Sequence, residues 1–449
     1  MLSLVEAGAQ LRSGKLSSVE LTRQCLDRIV RLNPALNAFI TVTADLALEQ
    51  ARQADLEIKA GNWRGPLHGV PIALKDLIDV AGIRTTAGSR QYNNRVAAED
   101  AAIVTRLKQA GGVIVGKNNL HEFAFGGSGI VSAAGPARNP WDAARITGGS
   151  SSGSAAAVAA GLCVAAIGTD TAGSIRCPAA LCGVVGHRPS RGMLNIDRIV
   201  PLAVTFDTPG LIAQTVRDAA STLDCLAAPG TASFAAGLDG PVARLRVGIA
   251  RNLLTDAEPE VARCFHAAVA TIALLVSGVT EFDLQWETPP AIRSYEIYRY
   301  HQEMLRRTPE LYDPRTLDRV RATEGVSEAD YQRGLQGLAE FDQGVRIFDT
   351  LDIVLSPTTL VTAPRLAELE VLDSQALRDF ELHYLLKNTF PFSSLWWPSV
   401  SVPCGFASEG LPVGLQISAA PGADLAALRL AHAYEQATEW HKRAPAMAD

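Results

Sequence analysis

Two serine- and glycine-rich segments carry the residues whose types and spacing could do chemistry. The first is TGGSSSGS (147–154), followed by an alanine-rich stretch, and the second is GTDTAGSIR (168–176), which follows a predicted buried strand. Small residues allow several consecutive amide N–H groups to converge on one point, as an oxyanion hole requires. The first segment could also be a flexible linker, but linkers do not usually run straight into a buried helix and strand.

A single lysine interrupts the apolar segment GVPIALKDLIDV (69–80). The usual fate of a lysine is exposure to solvent. If Lys75 is instead desolvated, its amine loses a proton more easily and could act as a general base. The apolar neighbours that would bury it are Val70, Ile72, Leu74 and Leu77.

Three other motifs suggest different chemistry and are less well supported. GSSSG (149–153) matches GxSxG and would make Ser151 the nucleophile of an α/β-hydrolase, but the preceding RNPWDAARIT resembles a loop and not the required strand. GGVIVGK (111–117) has the spacing of a phosphate-binding loop, but Asn118 stands where Ser or Thr should hold magnesium. His121-Glu122 lacks the second histidine of HExxH, so we expect no metal site.

The elements around these motifs alternate between short apolar strands and amphipathic helices. Ser17 and Glu20 predict a capping box at the start of an early helix. The predicted strands lie in 69–80, 113–116, 164–170, 245–250, 352–357, 399–405 and 410–418, and the main predicted helices in 154–161, 215–228, 258–276 and 424–439. This alternation indicates an α/β fold with a mixed or parallel sheet between helical layers, and with function at the loops that leave the strand ends.

Composition excludes several classes of protein. The 449 residues are 47% hydrophobic and 20% charged, with 41 Lys and Arg against 47 Asp and Glu. The net charge of −6 and the absence of long like-charge runs argue against nucleic-acid and membrane-surface binding. Seven cysteines without a CxxC pair, and an N-terminus unlike a signal peptide, indicate reduced, mostly buried thiols and a cytoplasmic protein.

An Asp170–Arg176 ion pair could brace the second serine segment.

Several motifs together resemble the amidase signature family of serine hydrolases. They are LKD, GGSSSGSAAAVAAG and GTDTAGSIRCPA, with the later GHRP and GLPVGLQ. The core of the resemblance covers about 66–210, whereas about 230–345 carries no diagnostic motif. The resemblance implies one large domain, 1–449, with a central mixed, mainly parallel sheet covered on both sides by helices. Within it we distinguish an N-terminal helical segment (about 1–62), the signature core, the variable region and a C-terminal part of the core (about 350–445).

The resemblance also implies roles for individual residues. Ser174 would be the nucleophile, Ser150 a bridging serine after a cis peptide bond, and Lys75 the base. The oxyanion hole would be formed by the backbone amides of Thr171, Ala172, Gly173 and Ser174. Ser151, Asp170 and Arg176 would support the site, and Ala124, Phe125 and Gly126 would line the substrate pocket.

The expected activity is hydrolysis of a linear carboxylic amide to an acid and ammonia or an amine, through an acyl-enzyme on Ser174. No cofactor or metal is implied, and the expected partner is a small-molecule amide, with a homodimer also allowed. Two alternatives remain open: the amidase subunit of a tRNA-dependent amidotransferase, which needs a partner protein, and a catalytically silent binding protein on the same fold. The segment RYHQEMLRRTPELYDPRTLDRV (299–320) resembles the stand-alone enzymes more than such amidotransferase components.

Overall fold

A large sheet organises the computed structural model, which describes residues 2–286 and 289–448. In chain order the strands are β1 (Phe39–Val42), β2 (Pro71–Lys75), β3 (Val113–Asn118), β4 (Arg138–Asn139), β5 (Asp142–Ile146), β6 (Ala165–Asp170), β7 (Val185–Arg188), β8 (Thr208–Ala213), β9 (Val247–Ala250), β10 (Val279–Phe282), β11 (Ile353–Pro357), β12 (Ser399–Phe406) and β13 (Pro412–Ala419). All except β4 and β5 belong to one sheet of order β1-β3-β2-β6-β8-β7-β12-β13-β11-β9-β10. The N-terminal and the C-terminal parts of the chain both contribute strands, so the segments distinguished in the sequence share one sheet.

The helices fill the connections between the strands. They are α1 (Leu4–Arg12), α2 (Ser18–Leu36), α3 (Ala44–Lys59), α4 (Ala102–Gln109), α5 (Ser152–Ala159), α6 (Arg176–Cys182), α7 (Val216–Leu226), α8 (Phe234–Gly237), α9 (Pro259–Ala273), α10 (Pro290–Arg307), α11 (Pro314–Arg321), α12 (Glu328–Gly344), α13 (Ile347–Thr350), α14 (Leu366–Glu370), α15 (Ser374–Phe380), α16 (Phe390–Ser394) and α17 (Asp424–Gln436). A π-helical turn covers Glu381–Leu385, and 3₁₀ turns cover Arg90–Tyr92, Glu122–Ala124, Arg251–Leu254, Pro309–Leu311, Trp440–Lys442 and Ala446–Ala448. The capping box predicted at Ser17 and Glu20 is confirmed at the start of α2.

Both faces of the sheet are buried under helices, which confirms the predicted fold class. Ile72 and Leu74 of β2 pack with α1, α4, α7, α9 and α17 in one core, whereas Ala73 packs with α2, α3, α5 and α6 in another. Successive strand side chains point to opposite faces, so this alternation requires a helical layer on each side. It explains why the strands read as continuous apolar runs.

Parallel pairing is less extensive than the sequence indicates. Among the residues that the structure describes, it is confined to two blocks, β3-β2-β6 and β11-β9-β10, while the other six pairings of the sheet are antiparallel. The short connection between β12 and β13, residues 407–411, can only join antiparallel neighbours, because a parallel crossover needs a dozen residues or more. The segment before Ser150 also differs from the predicted loop, since β4 and β5 pair there in a small separate sheet.

The seven cysteines are free, and six of them are buried, as predicted. Burial raises the pKa of the Cys25 and Cys177 thiols to about 12. These side chains therefore behave as small apolar groups. Within residues 2–286 and 289–448, no helix combines the length and the apolar composition that a membrane span needs.

Candidate active site

Three parallel strands bring the predicted site residues to one edge of the sheet. Strands β3, β2 and β6 are neighbours, and they end at Asn118, Lys75 and Asp170. Because parallel strands end on the same side, Lys75 lies beside the turn that follows β6. The GTDTAGS motif covers the end of β6 and that turn, which is formed by residues 171–174.

The Lys75 side chain is fully buried and points at two hydroxyls. Its Nζ donates to Ser150 Oγ at 2.7 Å and to Thr169 Oγ1 at 2.9 Å. Desolvation lowers the pKa of Lys75 to about 7, although the charges of Asp170 and Asp207 oppose part of this shift. A substantial fraction of Lys75 is therefore neutral at pH 7, which an exposed lysine is not.

The serine segment before α5 is held against the turn after β6. The peptide bond between Gly149 and Ser150 is cis, as the resemblance implies. The Ser150 carbonyl accepts from the His121 N–H at 3.1 Å, and the Ser151 N–H donates to the Ser174 carbonyl at 3.1 Å. The Ser151 hydroxyl donates to the Thr169 carbonyl at 3.2 Å, so Ser151 is engaged in holding the two segments together.

The turn after β6 presents four unused backbone donors. Among the described residues, the amides of Thr171, Ala172, Gly173 and Ser174 make no hydrogen bond. The Ser174 hydroxyl makes none to another described residue either, so only the Ser150–Lys75 link of the expected proton path is formed. Gly173 has φ +140°, and a Cβ there would lie 2.0 Å from Thr389 Oγ1. Only glycine fits at that point of the turn.

A buried ion pair holds this turn in place. Arg176 donates from Nε to Asp170 Oδ2 and from Nη2 to Asp170 Oδ1, both at 3.0 Å. Neither side chain is exposed, and Arg188 lies 3.4 Å from the same carboxylate. Burial favours a higher pKa for Asp170, but the charges of Arg176 and Arg188 and the hydrogen bonds from Arg176 and the Ile175 N–H together outweigh it and lower the pKa to about 2. Asp170 also accepts the Ile175 N–H at 3.2 Å, which fixes the start of α6.

Arg176→Met should destabilise the fold by about 3–5 kcal/mol, because it leaves the buried Asp170 carboxylate without its bidentate partner. The measurement is chemical denaturation of both proteins at pH 7. Arg333→Met, which removes an exposed pair with Asp330 on α12, is the matched control and should leave the unfolding midpoint near that of the parent. Equal midpoints for Arg176→Met and the parent would contradict the bracing role.

A small cavity of about 90 Å³ lies beside the turn. Apolar side chains form most of its wall, and its polar lining comes from Thr169, Thr171, Asp207 and Thr208. Of the predicted substrate-pocket residues, Ala124 lines this cavity, whereas Phe125 and Gly126 do not. The Phe125 carbonyl instead accepts from Arg319, and Gly126 packs on the ring of His121.

Sequence reasoning missed three side chains that shape the site. Thr169 binds Lys75, Asp207 accepts the Thr171 hydroxyl at 2.5 Å, and Thr389 donates to the Ala172 carbonyl at 2.6 Å. Thr169 could have been predicted from the sequence, because it lies within the GTDTAGS motif on the buried strand β6. Asp207 and Thr389 are distant in sequence from the motif and carry no local signal.

The chain is similar over nearly its whole length to known proteins. The family model described as Amidase matches residues 20–428. One relative, a glutamyl-tRNA(Gln) amidotransferase subunit from Chromohalobacter salexigens, is 36% identical, covering 99% of this chain and 98% of its own length. The protein of the same name from Symbiobacterium thermophilum is also 36% identical, with coverages of 100% and 99%.

Solved structures extend the similarity to the fold. A 6-aminohexanoate cyclic dimer hydrolase superimposes with a TM-score of 0.88 at 29% identity, covering 100% of this chain and 99% of the other. The peptide amidase from Stenotrophomonas maltophilia gives a TM-score of 0.81 at 30% identity, with coverages of 97% and 96%.

Proposed function

Since the chain belongs to the amidase family, we propose that it hydrolyses a carboxylic amide with Ser174 as nucleophile, Ser150 as proton relay and Lys75 as base. The observation that carries the proposal is the bond from the fully buried Lys75 amine to Ser150 Oγ, at 2.7 Å. It stands at the same sheet edge as the four amides of residues 171–174, which make no hydrogen bond to any residue that the structure describes. A lysine that can be neutral, a bridging hydroxyl and free N–H donors are the parts that acyl transfer needs.

In the proposed reaction, the Ser174 oxygen attacks the amide carbonyl carbon. Its proton passes to Ser150 Oγ while the Ser150 proton passes to neutral Lys75. The negative charge that develops on the carbonyl oxygen is stabilised by the amides of residues 171–174, where each donor is worth about 3 kcal/mol in comparable sites. The C–N bond then breaks, and the leaving nitrogen takes the proton back from Lys75.

The acyl-enzyme on Ser174 is cleaved by water in the second half of the reaction. Lys75, neutral again, accepts a proton from the attacking water through Ser150, and the acid leaves as Ser174 recovers its proton. Ser151 and the Asp170–Arg176 pair keep the two segments in register and do not exchange protons with the substrate in this scheme.

We expect the rate to fall as the pH decreases through about 7. Only neutral Lys75 can accept a proton, and burial lowers its pKa to about 7, so acidification converts the active form into the inactive ammonium. The pH dependence of kcat/KM reports this group in the free enzyme. If kcat/KM instead fell on acidification near pH 4, as expected for a carboxylate, or near pH 10, as expected for an exposed lysine, the assignment would be contradicted.

A second candidate is suggested by the names of the curated relatives. Both are named as subunits of glutamyl-tRNA(Gln) amidotransferase, so this chain could release ammonia from an amide for a partner that acts on tRNA. The expected absence of a nucleic-acid partner then holds only for a stand-alone enzyme. The relative from Chromohalobacter aligns over 488 positions, which exceeds the 449 residues of this chain by 39, so it contains segments that have no counterpart here.

One assay distinguishes the candidates. The purified chain is incubated alone with a panel of linear amides, including glutamine and short peptide amides, and ammonia release is measured. Turnover of an amide by the chain alone supports the stand-alone amidase. Release that requires added amidotransferase partner proteins and tRNA supports the second candidate, and a chain that neither turns over amides nor reacts with a fluorophosphonate probe is a silent fold.

A further inference from the structure

A second buried lysine lies on the strand next to that of Lys75 and takes no part in the proposed reaction. Lys117 is on β3, the parallel neighbour of β2, and its side chain is not exposed. Its Nζ donates to Asp76 Oδ1 at 2.8 Å and to Thr85 Oγ1 at 2.9 Å. Asp76 directly follows Lys75 in the chain and is also fully buried.

Asp76 joins three segments that surround Lys75. Its Oδ2 accepts from the Thr86 N–H at 2.9 Å and from the Thr86 hydroxyl at 2.5 Å. Its own N–H donates to the Asn118 carbonyl, and its carbonyl accepts from the Ala87 N–H, both at 3.0 Å. The end of β2, the end of β3 and residues 85–87 are therefore tied together at the residue next to Lys75.

Lys75 and Lys117 are surrounded by different sets of polar and charged groups. The groups that face or act on Lys75 are Ser150, Thr169, Asp170, Asp207 and His121. The groups that face or act on Lys117 are Asp76, Thr85, Asp79 and Arg95. Asp76 follows the last residue of β2, and its carboxylate accepts from Lys117 and Thr86. The Lys75 amine donates to Ser150 and Thr169 instead, so no hydrogen bond between described residues joins the two groups.

Pairing removes most of the field that Asp76 would exert on Lys75. A bare buried carboxylate one residue away would favour the ammonium form of Lys75, which cannot accept a proton. With Lys117 in contact, the pair has no net charge, whichever of its two partners holds the proton. Conversely, a Lys117 cation without the Asp76 carboxylate would repel the positive charge of Lys75 and favour its neutral form.

We propose that Lys117 is a positioning residue for Lys75, which acts through Asp76 to fix the end of β2 and to cancel the charge of the adjacent carboxylate. The proposal rests on the proposed role of Lys75 as the base. It assigns a task to the lysine of GGVIVGK, the motif whose spacing resembles a phosphate-binding loop and whose apolar part is strand β3.

The test measures how fast a fluorophosphonate probe modifies Ser174 as a function of pH. In this reaction the serine oxygen bonds to phosphorus, fluoride leaves, and the serine proton passes towards Lys75, so the rate reports Lys75 without requiring the natural substrate. We call the pH range in which the labelling rate falls on acidification the acidic limb. Lys117→Met leaves the Asp76 charge unpaired, so the acidic limb of this variant should move up by about one pH unit. Asp76→Asn leaves the Lys117 charge unpaired, and its limb should move down by a similar amount.

The double variant Lys117→Met/Asp76→Asn removes both charges, so its limb should return to that of the parent. The control is Lys108→Met on α4, which removes a lysine that pairs with Asp100 but does not contact the strand end. Its limb should not move. Lys117→Met alone leaves a buried unpaired carboxylate, whereas the double variant does not. If Lys117→Met does not fold, Asp76→Asn and the double variant are therefore still compared with the parent.

Opposite shifts of the two single variants support the proposal. Shifts in the same direction, or no shift in either, overturn it, because a purely structural defect would change the amplitude of labelling and not move the limb in opposite directions. A Lys75→Met variant labelled at the parental rate would instead overturn the proposed base, whatever Lys117 does.

Discussion

Ser174→Ala should reduce amide turnover by about 10⁵-fold or more while leaving the protein folded. The substitution removes the oxygen that would form the acyl-enzyme, and comparable nucleophile deletions in serine hydrolases have effects of this size. The Ser174 hydroxyl makes no hydrogen bond to another described residue, so its loss leaves no buried partner unsatisfied. Turnover is measured with the best amide of the panel, and folding by thermal unfolding.

The matched control is Ser151→Ala. Ser151 loses only its bond to the Thr169 carbonyl, so turnover should decrease by no more than about tenfold. Mass spectrometry after treatment with a fluorophosphonate should locate the adduct on Ser174 in the parent and find none in Ser174→Ala. An adduct on Ser151 would instead support the α/β-hydrolase interpretation of GSSSG and exclude the proposed assignment.

Lys75→Arg should be almost as inactive as Lys75→Ala, with turnover reduced by about 10³-fold or more in both. A guanidinium remains protonated at every accessible pH, so arginine preserves the positive charge but cannot accept a proton. A lysine that served only as a structural cation would tolerate arginine far better than alanine. The comparison between the two variants therefore separates the proposed base from a structural charge.

Binding and folding controls complete the Lys75 experiment. Affinity for a product acid should persist in Lys75→Ala, because Lys75 donates its hydrogen bonds to Ser150 and Thr169 within the protein. Lys442→Arg, at the exposed Lys442 near the C-terminus, should have parental turnover. Near-parental turnover in Lys75→Arg would require another base to be sought among the histidines and carboxylates.

The sequence by itself determined the fold class, the family and the neighbourhood of the site. Apolar runs separated by amphipathic helices predicted the α/β fold, because strands buried on both faces cannot alternate in polarity. The glycines and serines of 147–154 and 168–176 were visible because tight turns and free amides demand small residues at fixed positions. The capping box at Ser17 and the ion pair between Asp170 and Arg176 were visible because both partners are close in sequence.

Only the tertiary structure decided what lies around those motifs. Hydrogen bonds between distant residues, such as Thr389 to Ala172 and Thr171 to Asp207, depend on how the sheet brings its connections together and leave no local pattern. The burial of Lys75, and with it a pKa of about 7, comes from segments distant in sequence that pack against it, such as those of Ser150 and Thr169, and not from its apolar neighbours in sequence alone. Strand order likewise decided the antiparallel share of the sheet and placed Lys117 against Asp76, since pairing partners are chosen by the packing of the whole chain.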